Sequence, residues 1–142
     1  AGSWREHREV CTHHLERKLE KDRRRLGRDH RENLLPCMML GELFYRQDRF
    51  DEAGEHWEEA LRIVNLDEDD NPGPEIMARL SGNLGSVYEK KGRLDDALRM
   101  FKRQLRMLRQ VHGNNSEYVA DAINSIGNLY VSKGDLDRAM AK

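Results

Sequence analysis

The chain of 142 residues contains two cysteines, three prolines and only 6% aromatic residues, and each scarcity excludes a class of architecture. Cys11 and Cys37 provide no disulfide framework, which points to a reducing compartment. With so few prolines, long helices can run uninterrupted. No apolar run approaches the roughly 18 residues of a membrane span, and no secretory signal is present. A large net charge is also missing, because 25 Lys and Arg face 26 Asp and Glu, giving −1. One all-helical domain, cytoplasmic and outside the membrane, is the expectation. Its 37% hydrophobic content suffices only if neighbouring elements share one continuous core.

What the chain does have is a repeat. Gly41, Gly85 and Gly127 recur at nearly constant spacing, and Ala53, Ala97 and Ala139 follow with the same two intervals. Phe44, Tyr88 and Tyr130 stand three residues after each Gly; Phe50, Leu94 and Leu136 stand three before each Ala, each followed by Asp51, Asp95 or Asp137. Self-similarity at a period of about 20–50 residues marks a solenoid. Within one period, Leu80, Leu84, Val87 and Tyr88 repeat at helical spacing, as do Leu94, Ala97, Leu98, Phe101, Leu105 and Leu108. Each unit is therefore two amphipathic helices. Gly and Ala are small because two helix backbones approach there, with the aromatic residues filling the space beside them. The short connections QDR, KKGR and SKGD make the pairs antiparallel, with Gly92 and Gly134 as left-handed helix ends.

The pattern L-G-x-x-Y followed by A-x-x-x-F resembles the tetratricopeptide repeat. The link VHGNNSEYVADAINSIGNLY is similar to the kinesin light chain type of that repeat, shared with nephrocystin-like proteins; Gly113, Val119, Ala120, Asn124 and Tyr130 match, while Asn115 and Ser116 replace an Asp and a His. The resemblance implies an α-solenoid of antiparallel helix pairs in a right-handed superhelix. Shifting the second unit back along the chain maps Ala97 to Cys11, Phe101 to Leu15, Leu105 to Leu19 and Gly113 to Gly27. Residues 1–3 then resemble a cloning scar, and 4–33 form the second helix of a preceding repeat plus its link. The repeats cover 34–74, 75–115 and 116–142, the last truncated in its second helix. Helices are expected near 4–26, 33–46, 50–64, 74–91, 94–111, 116–133 and 136–142, with Trp57 and Phe101 buried.

Signals for chemistry are weak. His7, Cys11 and His14 share a helix face at a spacing that could hold a metal, but Cys11 occupies the small-residue position of its repeat. Asp67, Asp69 and Asn71 imitate a calcium loop, yet Pro72 and Ala78 stand where Gly and Glu are needed. The stretch reads better as a loop, with Pro74 opening the next helix and Glu75 favoured by its dipole. No nucleophile, base and orienting group can be assembled, so no enzyme, cofactor or metal is expected.

Charge alternates along the chain. Residues 17–31 hold eight basic and three acidic side chains, 48–75 two and eleven, and 79–112 nine and three. Lys102, Arg103, Arg106 and Arg109 fall on the outer side of their helix, where charge is ordinarily solvated. The competing reading is a surface for nucleic acid or an acidic filament, and the lack of interleaved aromatics speaks against single-stranded nucleic acid.

The face left for function is the concave one, lined by the first helix of each unit. There Arg79, Asn83, Ser86 and Lys90 stand with Asn124 and Asn128, and an Asn can grip an extended peptide through its carbonyl and its amide together. The resemblance to kinesin light chains implies a short peptide, aromatic with flanking acids, which Arg79 and Lys90 could neutralise. The expected function is a protein-interaction module that binds such a peptide as cargo or assembly adaptor. The alternative is a structural array in a cytoskeletal or ciliary complex that self-associates through its chain ends or outer helices.

Overall fold

Three devices shape the helices: the turn that reverses the chain, the glycine that lets two helices touch, and the aromatic residue that fills the contact. The computed structural model describes residues 2–66 and 73–141. It contains α1 (Gly2–Leu26), a 3-10 turn (Arg31–Asn33), α2 (Leu34–Arg46), α3 (Phe50–Leu66), α4 (Pro74–Lys90), α5 (Leu94–His112) and α6 (Glu117–Ala141). No strand occurs among the described residues. The chain divides into two compact units, Ala1–Asn71 and Pro72–Lys142. Ala1, Lys142 and the stretch holding Asp67, Asp69, Asn71 and Pro72 lie outside the described residues.

In the first unit α2 and α3 are antiparallel, since Gly41 meets Trp57 while Tyr45, further along α2, meets Phe50 at the start of α3. The Trp57 indole lies directly on Gly41, where a side-chain carbon would sit 2.6 Å from Cε2. Its Nε1 donates to the Met38 carbonyl at 3.2 Å, so the buried ring leaves no polar atom unpaired. Trp57 is 3% exposed, and Cys37, Leu40, Ala53 and Ile63 complete this core. α1 lies antiparallel to α2 and buries Leu19; Gln47 Nε2 reaches Thr12 at 3.3 Å. Gly27, at φ +91°, ends α1, and the Asn33 side chain donates to the Gly27 and Arg28 carbonyls at 2.8 and 3.2 Å. Cys11 is exposed rather than packed like Ala97, and Thr12 beside it is buried. The reason is that Ala97 lies against α4, whereas no described helix precedes α1.

The second unit repeats the device with Phe101. It lies on Gly85, where a side-chain carbon would sit 2.9 Å from Cζ, and is 6% exposed. Gly82 meets Gln104 one turn away, which makes α4 and α5 antiparallel. α6 runs back along α5: His112 stacks on Tyr118, Lys102 lies over the Tyr130 ring, and Lys133 pairs with Asp95 at 2.7 Å. Val119, Ala122 and Leu129 of α6 are buried.

One expected break is absent. Instead of ending near residue 133 and restarting at 136, α6 runs unbroken through Gly134, so the described residues form six α-helices in place of the seven expected. The reason lies in the turns that do form. After α4, Gly92 adopts φ +77°, the Arg93 amide donates to the Tyr88 carbonyl at 2.8 Å, and the Arg93 guanidinium covers the Tyr88 ring at 4.5 Å. After α2, Asp48 adopts φ +60°, the Arg49 amide donates to the Phe44 carbonyl at 2.9 Å, and Arg49 covers Phe44, again at 4.5 Å. In the third repeat Asp135 stands where those arginines do, so the segment after Tyr130 has no cation of its own to fold back onto that ring, which Lys102 of α5 covers instead.

Candidate functional site

The second unit encloses a hollow of about 730 Å³. Its walls are α4, through Glu75, Ile76, Arg79, Asn83 and Ser86, and α6, through Tyr118, Asp121 and Ser125; its floor is α5, through Phe101, Gln104, Leu108 and His112. Helix periodicity explains the wall. Ile76, Arg79, Asn83 and Ser86 follow one another at three- and four-residue steps and so form one stripe of α4. Pro74 at the first helical position and Glu75 in the first turn start that helix as expected, after Gly73 at φ +95°.

The two ends of the hollow differ in chemistry. At one end Ile76, Leu108 and His112 gather with Tyr118, whose ring is 60% exposed and stacked on His112 at a centroid distance of 4.7 Å. Towards the other end lie the carboxamides of Asn83 and Gln104 and the hydroxyls of Ser86 and Ser125. Ser125 Oγ donates to the Asp121 carbonyl at 3.1 Å. Among the described residues, the side chains of Arg79, Asn83, Ser86 and Gln104 have no hydrogen-bond or ion-pair partner. Among the described residues, the hollow thus presents a guanidinium, two carboxamides and a hydroxyl without partners beside an aromatic platform. Such groups can donate and accept hydrogen bonds.

Three of the six residues singled out from the sequence, Arg79, Asn83 and Ser86, line this hollow together. Lys90 is exposed at the end of α4 and does not line it; Asn124 and Asn128 are exposed on α6, also outside its lining. Sequence reasoning missed Gln104, His112 and Tyr118. A polar residue set among Phe101, Leu105 and Leu108 was the available signal for Gln104, while Tyr118 was hidden in a segment read as a link.

The first unit has a different polar cluster. Arg23 pairs with Glu59 beside Cys37, whose thiol is pushed up to about 12, chiefly by burial and next by the Glu59 charge. Arg62 pairs with Asp29 at 3.0 Å. No group of three or more His, Cys, Asp or Glu among the described residues could hold a metal ion, so His7, Cys11 and His14 do not converge as one. No described helix is long and apolar enough to cross a membrane.

With this geometry in place, comparison with known proteins locates the architecture. Residues 76–141, which carry the hollow, match the tetratricopeptide repeat family. The fold is an all-α helical repeat. A solved structure, BtubC (BKLC) from P. vanneervenii, is similar at 19% identity with a TM-score of 0.76, over 95% of this chain and 53% of that one. The chain therefore spans about half the length of that structure, and the likeness concerns the fold. No curated protein matches the chain. Tetratricopeptide repeats are in general protein–protein interaction modules.

Proposed function

We propose that the second unit binds an extended peptide segment in its hollow and serves as a cargo or assembly adaptor, in the cytoplasm or on a cytoskeletal or ciliary assembly. The observation that carries this reading is that the side chains of Arg79, Asn83 and Ser86 along one wall, opposite the exposed Tyr118, have no partner among the described residues. Unpaired polar groups on a rigid helix can meet a ligand without first breaking bonds of their own. Arg79 favours an acidic residue beside it. Glu75 and Asp121 share the lining, so one acid opposite Arg79 suits the hollow better than an acidic run. Affinity is expected on the order of micromolar and should weaken with added salt. Titrating acidic and basic versions of one aromatic peptide against the chain and against Arg79→Glu tests this. The reading requires the acidic version to bind more tightly and the preference to vanish in the variant; equal affinity for both versions removes the charge-reading part.

A second reading rests on a different observation. α6 carries an open stripe in which Ile123 and Tyr130 are about half exposed and alternate with Gly127 and Gly134, beside which nothing packs. In a twofold antiparallel pair of α6 helices, Tyr130 of one copy would face Gly127 of the other, and Ile123 would face Gly134. That repeats the bulky-on-glycine contact of Trp57 on Gly41 and Phe101 on Gly85. Such pairing would serve a structural array. Light scattering over a concentration series should then show a dimer that Gly127→Leu abolishes; a monomer at every concentration rejects it.

A further inference from the structure

We infer that Gln104 is the residue of the hollow that reads a peptide backbone, and that Gly82 exists to seat it. The inference rests on the peptide-binding reading above and assigns a role to two residues within it. A side-chain carbon on Gly82 would lie 2.8 Å from Gln104 Cδ and 3.1 Å from its Oε1, and closer still to Nε2. The carboxamide therefore lies against the α4 backbone with Nε2 nearest and Oε1 farthest, in space that only a glycine leaves open. Glycine is a poor choice in the middle of a helix, costing about 1 kcal/mol against alanine, so its presence in α4 calls for a reason. Gly85 has one in Phe101. At Gly82 the space is taken not by an apolar ring but by an amide group that has no hydrogen-bond partner among the described residues.

An amide held in place yet left unpaired offers one acceptor and two donors to whatever enters. A peptide bond in an extended segment presents the complementary pair, a carbonyl and an N–H. Asn83, adjacent to Gly82 on α4 and also unpartnered, supplies a second carboxamide to the same region. Tyr118, His112, Leu108 and Ile76 then define the other end, where an aromatic or aliphatic side chain would rest. Along α4, the distance from Ile76 to the region of Gly82 and Asn83 is six or seven residues, about 10 Å at 1.5 Å each. Extended chain covers that in about three residues. The ligand class follows: a segment whose apolar side chain lies about three residues from the peptide bond gripped by Gln104, with little demand on the side chain at that bond.

The test uses the whole chain and a set of acetylated, amidated hexapeptides, each carrying one tryptophan and one aspartate at varied positions, followed by fluorescence anisotropy. The tightest binder becomes the probe and is N-methylated at each position in turn, which removes one backbone donor at a time. With the unsubstituted chain, one N-methyl position about three residues from the tryptophan should weaken binding about tenfold. In Gln104→Met, binding of the parent peptide should be about tenfold weaker and that N-methyl group should cost nothing more. Gly82→Ala should fold at least as stably, because the displaced group is the end of a flexible side chain, yet bind as weakly as Gln104→Met. Additive losses, or unchanged binding in Gln104→Met while Asn83→Ala and Arg79→Glu weaken it, overturn the assignment to Gln104 alone. A probe indifferent to Asn83→Ala and Arg79→Glu, or the absence of any binder, overturns the peptide-binding reading and this inference together.

Discussion

Gly41 and Gly127 occupy the same register of the repeat, and their replacement by alanine should have opposite effects. At Gly41 the new methyl group would sit 2.6 Å from Trp57 Cε2, whereas carbon atoms in contact prefer about 3.5–4.0 Å. The ring must retreat by about 1 Å. It is not a free end: Nε1 is bonded to the Met38 carbonyl, and Tyr45 packs on the ring at a centroid distance of 5.7 Å. Overpacking of this kind costs about 1–3 kcal/mol, and a weakened buried hydrogen bond adds about 1 kcal/mol. The better helix propensity of alanine returns about 1 kcal/mol, which leaves Gly41→Ala about 2 kcal/mol less stable. At Gly127 a methyl group meets nothing within 4 Å, so only the propensity term remains and Gly127→Ala should be about 1 kcal/mol more stable. Urea unfolding followed by far-UV circular dichroism and tryptophan fluorescence measures both. Melting temperatures should move in opposite directions by roughly 4 °C per kcal/mol. A neutral Gly41→Ala, or a destabilising Gly127→Ala at a concentration where the chain is a monomer, would show that the bulky-on-glycine contact is misassigned.

Three other outcomes follow from the same structure. Phe101→Ala, which empties a buried ring from its seat on Gly85, should cost roughly 3–5 kcal/mol by denaturant titration. Thiol titration with a chromogenic disulfide at neutral pH should count one reactive cysteine, the exposed Cys11, and a second only after denaturation. Because burial lifts the Cys37 thiol from 9.0 to about 12, the unfolded chain releases that proton first as pH rises above about 9. Stability should therefore fall across that alkaline window, and the fall should be smaller in Cys37→Ala. Arg93→Ala removes the guanidinium over Tyr88 together with its ion pair to Asp96 at 2.8 Å, and should destabilise the second unit by about 0.5–1 kcal/mol in urea unfolding.

The helix pairs were legible because a small residue and an aromatic, placed at fixed spacing, encode a contact. Gly41 against Trp57 and Gly85 against Phe101 are where that spacing puts them. The same code misleads at Gly134, since a glycine only permits a turn. What enforces the turn is the arginine that covers the preceding aromatic, and Asp135 occupies that place. Cys11 fails for a related reason: the small-residue position is buried only where another helix lies across it. For the hollow, Arg79, Asn83 and Ser86 could be read from the period of a single helix. Gln104 showed only as a polar residue within an apolar stripe and Tyr118 not at all, because their place in the lining depends on how α5 and α6 lie against α4. Asn124 and Asn128 are on the helix that forms one wall but not among its lining residues, a distinction of rotation about the α6 axis that residue type does not reveal.

The most direct measurement is a titration of the isotope-labelled chain with the tightest-binding hexapeptide, followed by nuclear magnetic resonance of the side-chain amides. Binding in the hollow predicts that the carboxamide signals of Asn83 and Gln104 shift together with the Tyr118 ring, while those of Asn124 and Asn128 move little. Shifts confined to residues of the first unit, or to the open stripe of Ile123, Gly127 and Tyr130, would contradict it.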